Sequence, residues 1–266
     1  MRKIQLIILS LFFTATLFAQ AKPFVLGVTE QIKSAELSET RTINIYLPAG
    51  YNKDSSRTYP VIYLLDGGVG EDFVHISGVV QFLTEIVDTL PKAIVVGIAN
   101  VDRKRDFTFA IDEAYKKDIP QAGGSAKFIS FIEKELQPYI TKHYKVSDSK
   151  TVIGQSLGGL LATEILLKKP ALFDNYLIVS PSLWWHGGSL LQNVKCESSK
   201  DIQVCIAVGK EGEQMEGDAR KLANNLAPTG KGSIKTAFLF LPDENHLTIL
   251  HNAAYQGLEA LFAGKK

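Results

Sequence analysis

Cysteine is almost missing from this chain: Cys196 and Cys205 are the two thiols in 266 residues. Two cysteines with no adjacent histidine pair exclude a disulfide-framework protein and give no ligand set for a structural zinc. Whether they bridge each other is open at this stage, because Cys205 sits in the apolar run Ile202–Val208 and equally suits plain core. An excess of charge is missing as well. Lys and Arg number 29 against 28 Asp and Glu, with no basic block, so no long-range field would gather nucleic acid or a strongly anionic surface. There is no internal repeat, no Gly/Ser or Pro linker, and no apolar run long enough to span a bilayer, so stable membrane insertion is not expected. Nor is there a phosphate-cradling loop: the glycines of Gly154–Gly159 are not followed by Lys and Ser or Thr, and nothing calls for a dinucleotide, a metal or any other cofactor.

What is present divides into a leader and a body. Arg2 and Lys3, the mostly apolar stretch Ile4 to Leu17, and small Ala19 make an export signal over residues 1–20, cleaved after Ala19 or Gln20. With no nearby cysteine to carry a lipid, a periplasmic or secreted protein is expected. Residues 21–266, rich enough in apolar residues for one substantial core, read as a single domain. Strand patterns at 24–30 and 42–47 flank a polar turn and suggest an antiparallel start. Continuous apolar runs at 61–65, 93–98, 151–153, 176–179, 202–208 and 236–241 then alternate with helical patterns at 77–90, 128–144, 160–167, 217–226 and 247–262. Uninterrupted apolar strands are buried on both faces. The expected fold is therefore α/β, a mostly parallel central sheet with helices on both sides.

Gly154-Gln155-Ser156-Leu157-Gly158 lies between one such strand and helix. Gly-x-Ser-x-Gly in that setting is the nucleophile elbow of the α/β-hydrolase fold: small residues let the two backbones pass closely while the serine hydroxyl projects above the sheet. The helix start offers the N–H of Leu157 to a developing oxyanion, and the loop Asp66-Gly67-Gly68 after a central strand suggests a second donor from Gly67 or Gly68. A serine hydroxyl needs a base oriented by a carboxylate, in the chain order serine, acid, histidine. His246 follows the last strand in a polar turn, whereas His251 falls in the terminal helix and His186 precedes the acids. Glu211 and Glu213 both follow the preceding strand, and spacing does not separate them. Trp184 and Trp185, adjacent rings after a strand, suit the lining of a substrate pocket.

Taken together, Tyr63-Leu64-Leu65-Asp66-Gly67, Arg105-Asp106-Phe107-Thr108, the elbow, Ser180-Pro181-Ser182-Leu183-Trp184-Trp185 and Glu244-Asn245-His246 resemble the esterase family of α/β-hydrolases that holds siderophore esterases, S-formylglutathione hydrolase and feruloyl esterases. The likeness runs over most of residues 21–266 and is nearest the siderophore-esterase branch. It implies Ser156 as nucleophile, His246 as base, Glu211 as acid, and Arg105 facing the pocket toward an anionic or catecholate-like group. The expected activity is cofactor-free hydrolysis of a small-molecule carboxylic ester through an acyl-enzyme, of siderophore or carbohydrate-linked esters. Acyl transfer to an alcohol, or a silent binding module on the same fold, are the alternatives. A binding module has no need of serine, histidine and glutamate together. Oligomeric state is not legible.

Overall fold

The computed structural model describes residues 21–263 apart from 111, 118, 229 and 230. In chain order the elements are β1 (Val28–Ser34), β2 (Glu39–Tyr46), β3 (Tyr59–Leu64), α1 (Phe73–Gln81), β4 (Ile94–Ile98), α2 (Arg103–Phe107), α3 (Glu113–Lys116), α4 (Ser125–Phe131), α5 (Gln137–His143) and β5 (Val146–Gln155). There follow α6 (Leu157–Lys168), β6 (Asn175–Val179), α7 (Trp185–Gly188), β7 (Lys195–Cys196), β8 (Ile202–Gly209), α8 (Glu213–Asn225), β9 (Ala227–Pro228), β10 (Ile234–Leu241) and α9 (Ile249–Phe262). Eight strands form one sheet in the order β1-β2-β4-β3-β5-β6-β8-β10. β2 is antiparallel to both β1 and β4, and every pairing from β4 through to β10 is parallel. The leader at residues 1–20 lies outside the described residues.

Side-chain alternation sorts the strands between two cores. On one face Val61, Tyr63, Val96, Val152, Ile178 and Ile206 pack with α4, α5, α6 and α8; on the other Ile62, Leu64, Val95, Ile153, Leu177 and Cys205 meet α1 and α9. β4 and β6 are buried throughout, as continuous apolar runs require. The first hairpin departs from expectation: β1 runs through polar residues to Ser34 rather than ending at Glu30, and Ser38 closes the turn at a φ of 57°. An edge strand with one exposed face is held by backbone pairing to β2 and needs no apolar run. α1 likewise starts at Phe73 instead of Ser77 and continues through a wide turn over Phe82–Ile86. Pro138 sits in the first turn of α5, where its missing N–H costs nothing. The cysteines are free and buried, and burial pushes the Cys196 thiol up to about 11 and Cys205 up to about 12. They are core groups, inert at neutral pH.

Charge holds the first helix after β4 in place. Fully buried Arg41 on β2 pairs with fully buried Asp106 on α2 at 2.6 Å and with Glu39 at 2.8 Å, and donates to the carbonyl of Ala99 at 2.9 Å. Arg105 adds bonds to Asp106 and Glu39, each at 2.7 Å. Burial opposes ionisation of Glu39, but hydrogen bonds from Arg105 and Arg41 outweigh it and hold the carboxyl below its ordinary range. This network pins α2 to the sheet.

Candidate active site

The parallel strands deliver their loops to one edge, where α/β enzymes place their chemistry. Ser156 joins β5 directly to α6 at φ 59° and ψ −118°, a strained geometry for a residue with a side chain. The glycines around it are required sterically: a Cβ on Gly154 would lie 2.4 Å from the carbonyl oxygen of Gly158, and one on Gly159 would lie 2.9 Å from the carbonyl oxygen of Val179. Two neighbouring loops carry the same signature, with Asp66 at φ 55° and Ser180 at φ 41°. Strained non-glycine residues cluster where a fold holds side chains for function.

Glu211, two residues past the glycine that ends β8, turns its carboxylate inward, its side chain only 3 % exposed. One oxygen accepts from Nδ1 of His246 at 2.6 Å; the other accepts from the Ser180 hydroxyl at 2.5 Å and from the N–H of Gly209 at 3.1 Å. Burial would raise this carboxyl, but the bonds from His246, Ser180 and Gly209 outweigh it, and Glu211 stays below the usual carboxylate range. Glu216 fixes the backbone from behind by accepting the N–H of Glu211 and of Gly212, both at 2.9 Å. Glu213 opens α8 with its side chain in solvent. Of the two glutamates, Glu211 is the one bonded to the histidine. His246 is anchored through its carbonyl, which accepts from the amide of Gln155 at 2.5 Å, so the residue before Ser156 also holds the imidazole's loop.

Ser156, His246 and Glu211 line one cavity of about 550 Å³, together with Ser182, Trp184, Lys210, Met215 and Asn245. The Ser156 hydroxyl lies 3.3 Å from that of Ser182. A carboxylate orienting an imidazole in the cavity that a serine hydroxyl also lines suits nucleophilic attack on a carbonyl. As the first residue of α6, Leu157 has an N–H with no acceptor inside the helix.

Four expected site residues are placed or engaged elsewhere. Arg105 does not face the cavity, because its guanidinium is committed to Asp106 and Glu39. The arginine beside the elbow is Arg103, bidentate to Asp66 at 2.6 and 2.9 Å and 3.3 Å from the carbonyl of Gln155. Trp185 is buried in the core and only Trp184, 43 % exposed, lines the cavity, since adjacent residues in a turn point apart. The glycine loop also differs: Gly67 donates to Ile98 at 2.9 Å, and Gly68 donates to the Glu71 carboxylate at 2.7 Å. Both N–H groups are thus engaged within the protein, the second in the manner of a helix capping box ahead of α1. Asn44 holds the Gly67 carbonyl at 2.8 Å from the other side.

Sequence reasoning passed over Ser180, Ser182 and Gln155. The signal was present in Ser180-Pro181-Ser182, but the tryptophans after it were the more conspicuous residues.

Comparison with known proteins supplies the family. The family described as Putative esterase matches residues 34–247. The chain belongs to that family. Among its relatives, the ferri-bacillibactin esterase BesA of Bacillus subtilis is 28% identical over 255 residues, covering 85% of this chain and 87% of BesA. The siderophore enterobactin esterase of Emericella nidulans is 39% identical over a shorter stretch of 80 residues, 29% of this chain and 26% of that one. Among solved structures, an IroE-like serine hydrolase from Shewanella oneidensis superposes with a TM-score of 0.74 at 31% identity, over 88% of this chain and 79% of that one. The BES protein from Bacillus cereus gives 0.77 at 28% identity, over 92% and 98%. This member of the Putative esterase family is a carboxylic ester hydrolase with the α/β fold of those hydrolases.

A pH prediction follows from the Glu211 contacts. A carboxyl held low in the folded state contributes stability that is full above its unfolded value and is lost as pH falls through its folded value. Wild-type protein is therefore expected to lose more Tm than Glu211→Gln on acidification from about pH 7 to about pH 3. Equal losses in a thermal melt series would count against the bonded carboxylate. At neutral pH Glu211→Gln lowers turnover, whereas Glu213→Gln leaves it within about twofold, as expected for an exposed charge.

Proposed function

We infer that this esterase works through an acyl-enzyme on Ser156, with His246 as general base and Glu211 as its orienting acid. The observation that carries the reading is the 2.6 Å Glu211–His246 bond in the same cavity as the Ser156 hydroxyl. His246 takes the proton of Ser156 as its Oγ attacks the ester carbonyl, then passes it to the leaving alcohol; water repeats the sequence to free the acid. The Leu157 N–H receives the oxyanion. Gly68 joins it only where the substrate oxygen displaces the Glu71 carboxylate.

The proposed substrates are siderophore esters, with carbohydrate-linked esters as the second class. Supporting this are the cavity's size, the exposed face of Trp184 for an aromatic acyl group and the cationic Lys210 for an anionic one, together with relatives that are esterases of ferri-bacillibactin and enterobactin. Rates compared across p-nitrophenyl acyl chains, feruloyl and acetyl-sugar esters and a triscatecholate lactone test it. The lactone is expected to give the highest kcat/KM, and a rate below that of simple acetyl esters overturns the siderophore reading. Export to the periplasm or medium belongs to the same proposal and rests on the leader pattern of residues 1–20. Cell fractionation with and without that segment checks it. Among the described residues no helix is long and apolar enough to cross a membrane.

A further inference from the structure

The loop after β6 reaches both ends of the candidate triad. Ser180 donates to the Glu211 carboxylate at 2.5 Å, and two residues on the Ser182 hydroxyl lies 3.3 Å from Oγ of Ser156. Ser182 is 3 % exposed and lines the catalytic cavity. Its backbone is tied to the nucleophile too, its N–H donating to the Ser156 carbonyl at 3.0 Å. The hydroxyl is therefore fixed in place by the same residue it faces. Among the described residues Ser156 Oγ is the one partner of Ser182 Oγ.

We propose that Ser182 is a further catalytic residue, a hydroxyl donor to Ser156 Oγ that assists departure of the serine oxygen during deacylation; this rests on the acyl-enzyme reading above. In the acyl-enzyme reading the Ser156 hydroxyl gives its proton to His246, which leaves Ser182 as the donor between the two serines. At 3.3 Å that bond is slack for two neutral hydroxyls. In the acyl-enzyme Ser156 Oγ is an ester oxygen, a weak acceptor, and the bond is weaker still. When water attacks, its proton passes to His246, the C–O bond to the new oxygen forms, and the C–Oγ bond breaks with its electron pair moving onto Oγ. His246 then returns the proton to that oxygen. At the moment Oγ carries charge, a bond from Ser182 is charge-assisted and strongest. Ser182 gives up no proton.

The asymmetry between the two half-reactions makes the role testable. Acylation passes through the mirror-image step with charge on the same oxygen and gains from the donor too; it gains less, because free enzyme already holds the Ser182–Ser156 contact and that part cancels. Deacylation starts from the ester oxygen and gains the bond in the transition state. Ser182→Ala is therefore expected to slow deacylation roughly ten- to a hundredfold, the worth of a hydrogen bond to a charged group. With a p-nitrophenyl ester, kcat falls more than kcat/KM, KM falls with it, and a burst of one p-nitrophenol per active site appears in stopped flow. Ser182→Thr, which keeps the hydroxyl, restores kcat. Ser182→Cys, nearly isosteric with a weak donor, follows the alanine variant and replaces it should that fail to fold. A fall in kcat/KM without a burst, or an unchanged kcat in both the alanine and cysteine variants, overturns the proposal. Labelling wild-type Ser156 with a serine-reactive phosphonate separates the two levels: no adduct defeats the acyl-enzyme reading itself, while an adduct with unchanged Ser182 variants defeats only the role of Ser182.

Discussion

Ser156→Ala is expected to lower kcat/KM by about four orders of magnitude or more while leaving the far-UV spectrum and substrate binding intact, and His246→Ala to do the same. The size follows from how the groups act. Serine supplies the electron pair and the imidazole removes and returns its proton; the cavity's other hydroxyl, Ser182, does not sit at the joint of strand and helix that presents Ser156, and Lys210 is the remaining titratable side chain besides Glu211. Their losses should not add. With either residue gone the other has no step to perform, so the double variant should be no slower than the worse single variant. A progress-curve comparison of the three variants under one substrate checks this. Residual activity within a hundredfold of wild type for Ser156→Ala would refute the assignment, as would additive losses.

The second large effect concerns stability. Asp106→Ala is expected to destabilise the fold by about 3–5 kcal/mol, because it leaves the Arg41 guanidinium buried with half its compensation removed. Arg41 and Asp106 are both fully buried, and Glu39, the other carboxylate at Arg41, is shared with Arg105. Removing both charges together, as in Arg41→Met with Asp106→Leu, should cost less than the single change, since the desolvation penalty disappears along with the attraction. Urea unfolding monitored by tryptophan fluorescence gives both values. A single-variant loss below about 1 kcal/mol, the range of an exposed pair, would show the pair to be solvated. Part of the damage should appear as lost activity in folded protein, because Asp106 holds the short helix that carries Arg103 to Asp66 and the carbonyl of Gln155.

Much of this architecture could be read from residue order because the physics involved is local. A run such as Ile94–Ile98 with no polar member has few fates other than a strand covered on both sides, and Gly154 and Gly158 around a serine prescribe a close strand-to-helix crossing. The histidine could be placed because the final strand ends just before it. Arg105 was misplaced for a reason of the opposite kind. A sequence shows that an arginine is present but not that Glu39, 66 residues earlier in the chain, will occupy it. Gly67 and Gly68 pose the same difficulty, since the acceptors of their N–H groups, Ile98 and Glu71, are set by a neighbouring strand and by a helix start. Choosing between Glu211 and Glu213 from spacing failed because only three residues separate a strand end from a helix start. There two positions decide between a buried bond and open solvent.

The three residues Ser180, Pro181 and Ser182 also bear on how the site responds to heat. β5 and β8 are separated in the sheet by β6, so thermal breathing between strands would change the distance from nucleophile to acid were each carried by its own strand alone. A single short loop bonded to Glu211 at one end and to Ser156 at the other sets that distance instead, like a spacer bar between two posts. Activity should therefore hold its value with rising temperature until this loop melts, and inactivation should precede the loss of sheet structure.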